Sequence, residues 1–226
     1  MNGLWVSLVP LIIGSALVPI QIVITTLLLR SDSGRLTAVA WVAGMTTVRL
    51  AQGLVFGLIL GSASETGSSS GGQGTGVSLL LLAVAILFYV AALKQLTHQP
   101  DEDAPPPKWM AKVDGATPGR AYLLGVGLLA IGAKVWVFTL SAIAVIADAG
   151  MGQGASILTF LLFVILAEST HLALLGLAYA MPDRSVAALD RVAGFLRDKN
   201  RLLVIGLGLV FGTWFLVKAL SGLGVI

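Results

Sequence analysis

Four side chains that can carry charge or move a proton lie near the middle of long apolar stretches of the sequence. They are Arg49, Lys134, Glu168 and His171. A charged side chain at the centre of a bilayer costs about 2.5–3.5 kcal/mol on insertion scales, so such residues are usually retained for pairing or function. Glu168 and His171 are three residues apart and share one helical face. The pattern predicts a charged site among apolar helices, with this carboxylate and histidine as a proton-carrying pair.

Two glutamines and a proline complete the predicted site. Gln52 follows Arg49 by three residues, so the two share a helical face. Pro19 lies in the middle of the first apolar stretch, where it removes one helical hydrogen bond and breaks or kinks the helix. Gln21 lies two residues after that predicted break. The residues expected to bind substrate or couple transport are Pro19, Gln21, Arg49, Gln52, Lys134, Glu168 and His171.

A static ion-pair network that only holds helices together is the alternative to a functional site. Buried ion pairs often do no more than offset their own desolvation, so they are poor devices for stability alone. Two cations and one carboxylate give a positive site when all are ionised, which favours an anionic or zwitterionic ligand. We predict no metal site and no cofactor, because one carboxylate and one histidine offer too few ligands for a hard cation.

The elements that must position these side chains are transmembrane helices. Of the 226 residues, 57% are apolar and 11% are charged, whereas a soluble domain carries about 25% charged residues. A spanning helix needs about 20 mostly apolar residues. Six segments meet this requirement: 4–29, 37–60, 77–96, 120–147, 155–181 and 201–224. The predicted fold class is therefore an all-α membrane protein, with a single six-helix transmembrane domain over residues 1–226.

The connections between the predicted spans differ in composition. The second, over 61–76, is rich in glycine and serine, and the third, over 97–119, is rich in proline and acidic residues. The third is therefore expected to be an extended cytoplasmic loop. The fifth, over 182–200, places four apolar residues on one helical face: Val186, Leu189, Val192 and Leu196. This predicts a short cytoplasmic amphipathic helix at the membrane surface.

The positions of lysine and arginine predict the orientation in the membrane. Of the 14 such residues, all except Arg49, Lys134 and Lys218 lie in or beside the first, third and fifth connections. The N-terminus and the other two connections hold none. Basic loops stay cytoplasmic. We therefore expect a multi-pass protein of the plasma (inner) membrane, with both termini outside and the basic loops inside.

The two halves of the sequence predict an inverted repeat. Arg49 follows Pro19 by 30 residues, and Glu168 follows Lys134 by 34. Two units of three spans each must insert in opposite orientations, and inverted repeats with interrupted helices are a recurring plan in transporters. The predicted parts are a first repeat over 1–96, the proline-rich loop over 97–119 and a second repeat over 120–226.

Two short motifs and two loops resemble those of a known transporter family. The motifs are Ser-Ala-Leu-Val-Pro-Ile over 15–20 and the central Lys134 of the fourth span, accompanied by the proline-rich loop and the basic stretch before the last span. They resemble the glycolipid-addressing (GAP) proteins of the lysine-exporter (LysE) superfamily. The resemblance implies outward movement of solutes or amphiphiles and, for the GAP branch, of envelope glycolipids. Where the family has Asn-Pro-Lys, this sequence has Gly132-Ala133-Lys134. Because the proline is absent, the sequence does not decide whether the fourth span has a helix break.

These observations predict a membrane exporter of a small anionic or zwitterionic solute or an amphiphilic lipid, with proton coupling. The alternatives are a non-transporting accessory protein for envelope glycolipid delivery and a metal-ion exporter. An enzyme is not expected, because the sequence has no HExxH motif and no cysteine. The expected partners are the lipid bilayer and the transported solute or lipid. Nucleic acid is not expected as a partner, and homo-oligomerisation stays open.

Overall fold

All regular structure in the described part of the chain is α-helical, which confirms the all-α fold class there. The computed structural model describes residues 2–31, 34–65, 75–97, 113, 115–180 and 182–226. The helices are α1 (Asn2–Ala16), α2 (Pro19–Leu29), α3 (Gly34–Glu65), α4 (Thr75–Thr97), α5 (Pro118–Ile131), α6 (Ala133–Asp148), α7 (Gln153–Ala167), α8 (Ser169–Ala180) and α9 (Pro182–Gly222).

Within the described part of the chain, two helices are long and apolar enough to cross a membrane. The spanning segments are Gly34–Gly57 of α3 and Arg201–Gly222 of α9. Three bent pairs, α1–α2, α5–α6 and α7–α8, raise the number of candidate spans to as many as 5. Many large apolar side chains are exposed; the exposed fraction is 72% for Val6 and 69% for Leu158. An apolar surface of this extent is suited to contact with lipid. The chain is a membrane protein, while the count of six spans and the inverted repeat stay predictions.

The first compact unit comprises Met1–Leu60 and Pro105–Arg197. In this unit α1 packs against α6 and α7, and α2 packs against α8. Its apolar core includes the fully buried side chains of Leu28, Trp41 and Leu129. The unit therefore gathers helices that are far apart in the sequence around one core.

Two glycines allow α3 and α5 to approach each other closely. A Cβ atom on Gly44 would overlap the carbonyl group of Tyr122, and one on Gly125 would overlap the carbonyl group of Trp41. Small residues at a helix crossing let the two backbones touch, which is a common way of packing membrane helices. The α3–α5 contact therefore depends on the absence of side chains at these two positions.

The first helix break lies at the predicted position, before Pro19. Helix α1 ends at Ala16 and α2 begins at Pro19, with a bend of 48° between them. Val18 is extended (φ −67°, ψ 107°), the conformation that a following proline favours. Pro19 occupies the first turn of α2, where its missing N–H costs no helical hydrogen bond.

The second break separates α5 from α6 at Gly132, with a bend of 68°. Gly132 adopts φ −73° and ψ 80°, outside the helical region. The indole Nε1 of Trp136 donates a hydrogen bond to the carbonyl oxygen of Leu129 at 2.8 Å. That carbonyl belongs to the last turn of α5, where helical donors run out. The sequence did not decide whether the fourth span is broken. The structure shows a break at Gly132, and the indole N–H of Trp136 stabilises it.

The third break lies at Glu168, within the predicted span over 155–181, for which the sequence indicated no break. Helix α7 ends at Ala167 and α8 begins at Ser169, with a bend of 57°. Glu168 itself has φ −91° and ψ 3°. The sequence did not predict this bend, because neither glycine nor proline marks it.

The second compact unit comprises Gly61–Ala104 and Asp198–Ile226. Within it α4 and the C-terminal part of α9 pack through aromatic rings, and the rings of Phe88 and Phe215 stack with centroids 5.8 Å apart. A Cβ atom on Gly208 would lie 3.0 Å from the Phe88 carbonyl oxygen. The contact between these helices is therefore apolar and close.

Two polar contacts of this second unit involve side chains that are partly exposed. The Tyr89 and Thr213 hydroxyl groups share a hydrogen bond of 2.8 Å. Arg201 donates from Nε to the carbonyl oxygen of Gln95 at 3.0 Å and from Nη2 to that of Leu96 at 2.9 Å. Arg201 thus supplies donors and positive charge to the C-terminal end of α4, where carbonyl groups lack helical partners.

The short amphipathic helix predicted in the connection over 182–200 is not a separate element. It belongs to α9, which runs for 41 residues from Pro182 to Gly222. No glycine or proline lies between Arg197 and Arg201, so nothing in the sequence stops the helix there. Outside the described residues lie 66–74 and 98–112 of the predicted connections and the side chains of Val186, Leu189, Val192 and Leu196.

Candidate functional site

An ion pair between Arg49 and Glu168 forms the centre of the candidate site, inside the first unit. Arg49 of α3 donates from Nε to Oε1 of Glu168 at 2.8 Å. Arg49 is fully buried, and Glu168 is 2% exposed. The pair joins α3 to the break between α7 and α8. Removing one partner would leave the other charge buried and uncompensated, which is strongly destabilising.

The guanidinium group of Arg49 is only partly used by this pair. Its Nη1 lies 3.5 Å from Oγ of Ser15 on α1 and 3.3 Å from Oγ1 of Thr139 on α6. Its Nη2 has no hydrogen-bond partner among the atoms that the structure describes. Guanidinium and carboxylate groups often form two parallel hydrogen bonds, but a single one joins them here. Donor capacity therefore remains on Arg49.

The second carboxylate oxygen of Glu168 points toward His171. The distance from Oε2 to Nε2 of His171 is 3.9 Å, longer than a hydrogen bond. Neither atom has a hydrogen-bond partner within the described part of the chain. His171 lies on α8, one turn after Glu168, and is fully buried. The two groups that the sequence predicted to carry a proton thus face each other across a short gap.

The other ring nitrogen of His171 is held by a hydroxyl group. Its Nδ1 lies 2.9 Å from Oγ1 of Thr25 on α2. The same oxygen accepts a hydrogen bond from Nε1 of Trp41 at 3.0 Å and lies 2.9 Å from the carbonyl oxygen of Gln21. A chain of polar contacts therefore runs from Trp41 on α3, through α2 and α8, to the ion pair.

Two buried glutamines add further polar groups. Gln21 is fully buried and Gln52 is 5% exposed. The amide oxygen and nitrogen of both side chains have no partner among the described atoms. Folded proteins pair the large majority of their buried polar atoms, and each buried group left unpaired costs about 1–3 kcal/mol. Unpaired donors and acceptors buried in the same unit as the ion pair are candidates for contacts with a polar ligand.

Aromatic side chains lie further along α3 from the ion pair. Phe56, one turn beyond Gln52, meets the ring of Trp136 edge to face with centroids 5.9 Å apart. The ring of Phe160 lies directly against Gly53, whose missing side chain provides the room. Beyond the polar side chains of this helix, the packing is therefore aromatic.

Comparison with models of known protein families identifies the family of this chain. The model of the family described as Sap, sulfolipid-1-addressing protein, matches residues 8–221. The chain belongs to the sulfolipid-1-addressing protein family. This agrees with the resemblance to glycolipid-addressing proteins, whereas membership of the lysine-exporter superfamily stays a prediction. The chain matches none of the curated proteins and none of the solved structures with which it was compared.

In this member of the sulfolipid-1-addressing family, the structure brings most of the predicted site residues into one unit. Arg49, Glu168 and His171 are neighbours, and Gln21 joins the network through its backbone carbonyl. Gln52 lies one turn after Arg49, and Pro19 forms the break before Gln21. Their roles in binding or coupling stay predictions.

Lys134 is the second residue of α6, and its side chain lies outside the described residues. The described ion pair is neutral as a unit, with one cation and one carboxylate. The predicted positive charge of the site therefore rests on Lys134. Among the described residues, no group of three or more histidine, cysteine, aspartate or glutamate side chains could hold a metal ion.

The sequence did not single out four residues that contact this network: Ser15, Thr25, Trp41 and Thr139. Thr25 follows Gln21 by four residues on α2, so a polar stripe at helical spacing was present. Ser15 lies in the motif that carries the family resemblance. Trp41 and Thr139 carry no such signal, because buried indole and hydroxyl groups occur widely in membrane helices.

Proposed function

We propose that this protein is an exporter that carries an amphiphilic lipid across the membrane, with the lipid's polar headgroup held at the Arg49–Glu168 pair. The supporting observation is the incomplete pairing of these side chains. One hydrogen bond joins them, while Nη2 of Arg49 and Oε2 of Glu168 have no partner among the described atoms. A static ion pair would be stronger with both hydrogen bonds formed, so the open atoms favour a ligand-binding role.

The proposed headgroup is anionic. The family description names a sulfolipid, and a sulfo group offers several oxygens to a guanidinium donor. The amide groups of Gln21 and Gln52 supply further donors and acceptors for neutral polar atoms of the same headgroup. In this proposal Lys134 adds the positive charge that the neutral ion pair lacks.

The three helix breaks are the proposed basis of movement. Interrupted helices that meet at a site near the bilayer midplane are a feature of transporters that alternate between two open sides. We place the six proposed spans in two inverted repeats within the lysine-exporter superfamily, with both termini outside. Glu168 and His171 then exchange a proton with the two sides as the halves rock against each other.

The test is lipid transfer in liposomes that contain the purified protein. The probe is a radiolabelled sulfolipid with short acyl chains, added to one leaflet and extracted by albumin from the other. Arg49→Lys keeps the charge but removes the Nη2 donors. A charge-assisted hydrogen bond contributes about 1.5–3 kcal/mol, so we expect about tenfold to 100-fold slower transfer.

The matched control is Arg191→Gln, because Arg191 is an exposed cation of the same unit. Its transfer rate should equal that of the wild type. Equal rates for Arg49→Lys and the wild type would refute the role of the guanidinium group. If the wild-type protein moves no sulfolipid but copurifies with a second protein, the accessory role replaces transport. For proton coupling, Glu168→Gln should remove the dependence of transfer on an imposed pH gradient.

A further inference from the structure

We infer that Thr25 is a positioning residue that holds neutral His171 with its proton on Nδ1, so that Nε2 is an open acceptor facing Glu168. The inference deepens the proposed proton coupling and, for its role in transport, rests on it. It follows from the hydrogen-bonding capacity of one buried hydroxyl group, and the tautomer itself can be measured without any transport.

The hydroxyl group of Thr25 has three neighbours and a fixed capacity. A threonine hydroxyl group donates one hydrogen bond and accepts two. The Trp41 indole N–H can only donate, so it uses one acceptor position at 3.0 Å. The Gln21 carbonyl oxygen can only accept, so it takes the hydroxyl proton at 2.9 Å. One acceptor position then remains on Oγ1, and its neighbour is Nδ1 of His171 at 2.9 Å.

The remaining position requires His171 to donate. With the Thr25 proton committed to Gln21, Nδ1 must carry hydrogen to form the observed contact. If Thr25 donated to Nδ1 instead, its oxygen and the Gln21 carbonyl oxygen would lie 2.9 Å apart with no proton between them. Two oxygen lone pairs at that distance, with no hydrogen between them, repel each other. Thr25 and His171 are both fully buried.

The consequence lies on the other side of the imidazole ring. In the neutral ring Nε2 has a lone pair, and it faces the second acceptor, Oε2 of Glu168, at 3.9 Å. Two acceptors side by side bind one shared donor, which is either a transferred proton or an O–H or N–H group of a ligand. A proton that arrives on Nε2 gives an imidazolium whose Nδ1–H still donates to Thr25. Thr25 therefore holds the ring in both protonation states, and the proton leaves through Oε2 or the ligand.

Nitrogen NMR of histidine tests the assignment directly. The chain has two histidines, His98 and His171, so His98→Gln in a chain labelled with ¹⁵N-histidine leaves one imidazole to observe. The chemical shifts of its two nitrogens identify the tautomer in the neutral form. We expect Nδ1–H in the parent protein and in Thr25→Ser, which keeps the hydroxyl group. We expect a mixture or Nε2–H in Thr25→Val, which has nearly the same shape without a donor or acceptor.

Transport supplies a second readout. If the tautomer matters for coupling, Thr25→Val should abolish the response of sulfolipid transfer to a pH gradient, and Thr25→Ser should restore it. An Nε2–H signal in the parent protein, an imidazolium at every pH measured, or an unchanged tautomer in Thr25→Val would overturn the inference. The parent spectrum alone decides the assignment if Thr25→Val fails to fold. If the spectra are as expected but the wild-type protein transfers no sulfolipid, the proposed function is refuted and the tautomer assignment is still supported.

Discussion

The two compact units differ in how their helices are held together. The first contains the three breaks, at Pro19, Gly132 and Glu168, and a buried ion pair. In the described part of the second, α4 and residues 198–222 of α9 are unbroken, and the Phe88–Phe215 stack is central to their contact. Among its described polar contacts are the hydroxyl pair of Tyr89 and Thr213 and the Arg201 cap on α4.

This difference underlies our proposal that ligand binding belongs to the first unit and packing to the second. Apolar packing gives one well-defined arrangement of side chains. It leaves no polar group that a ligand would have to pair. Buried groups such as Arg49 Nη2 and the Gln21 amide are costly unless something pairs with them. The first unit carries that cost, and it also contains the three helix breaks. We therefore assign the ligand chemistry to the first unit and a packing role to the second.

The largest expected effect on stability comes from Glu168→Ala. Removing one member of a buried ion pair is expected to lower the free energy of unfolding by about 3–5 kcal/mol. In the second unit Tyr89→Phe removes a hydroxyl contact and should cost about 0.5–1.5 kcal/mol. Reversible unfolding in mixed detergent micelles measures both. Equal costs for the two variants would contradict the contrast between the units.

The glycine contact of α3 and α5 provides the next largest effect. Gly125→Ala forces a methyl group onto the Trp41 carbonyl, and overpacking of this kind costs about 1–3 kcal/mol. Gly127→Ala is the control on the same helix, because nothing lies within 4 Å of a Cβ there. The control should be neutral or stabilising, since alanine favours helix more than glycine does. A similar loss for both glycines would remove the close-contact explanation.

The smallest expected effect on stability is at Arg201, in the second unit. Arg201→Gln removes the positive charge and part of the cap on the last carbonyls of α4, so we expect a loss of about 1 kcal/mol. Lys199→Gln, at an exposed position two residues earlier, should change stability less. Sulfolipid transfer per folded molecule should be unchanged in both. Slower transfer in Arg201→Gln would extend the functional region to the second unit.

The sequence predicted the features that a single residue type determines. Apolar stretches predicted helices, and Pro19 predicted the first break because its ring cannot fit within a helix. The cost of burying charge indicated Arg49 and Glu168 as site residues, since both lie within apolar stretches. Which atoms pair, and which stay open, depends on packing between helices from both halves of the chain. No local pattern determines that.

The features that the sequence missed depend on tertiary contacts. The bend at Glu168 has no helix-breaking residue, and the bend coincides with the ion pair to α3. The continuity of α9 was missed because a polar segment at its start resembled a separate surface helix. Trp41 and Thr25 belong to the site because helix packing places Thr25 between Trp41 and His171.

The central claim is that the Arg49–Glu168 pair serves transport and is more than a static tie between helices. The double variant Arg49→Met, Glu168→Leu separates the two roles, because replacing a buried ion pair with apolar residues of similar volume is often nearly neutral for stability. We predict an unfolding free energy close to that of the wild type, with sulfolipid transfer slowed at least about tenfold by the lost charge-assisted hydrogen bond. Wild-type transfer by a stably folded double variant would contradict the claim.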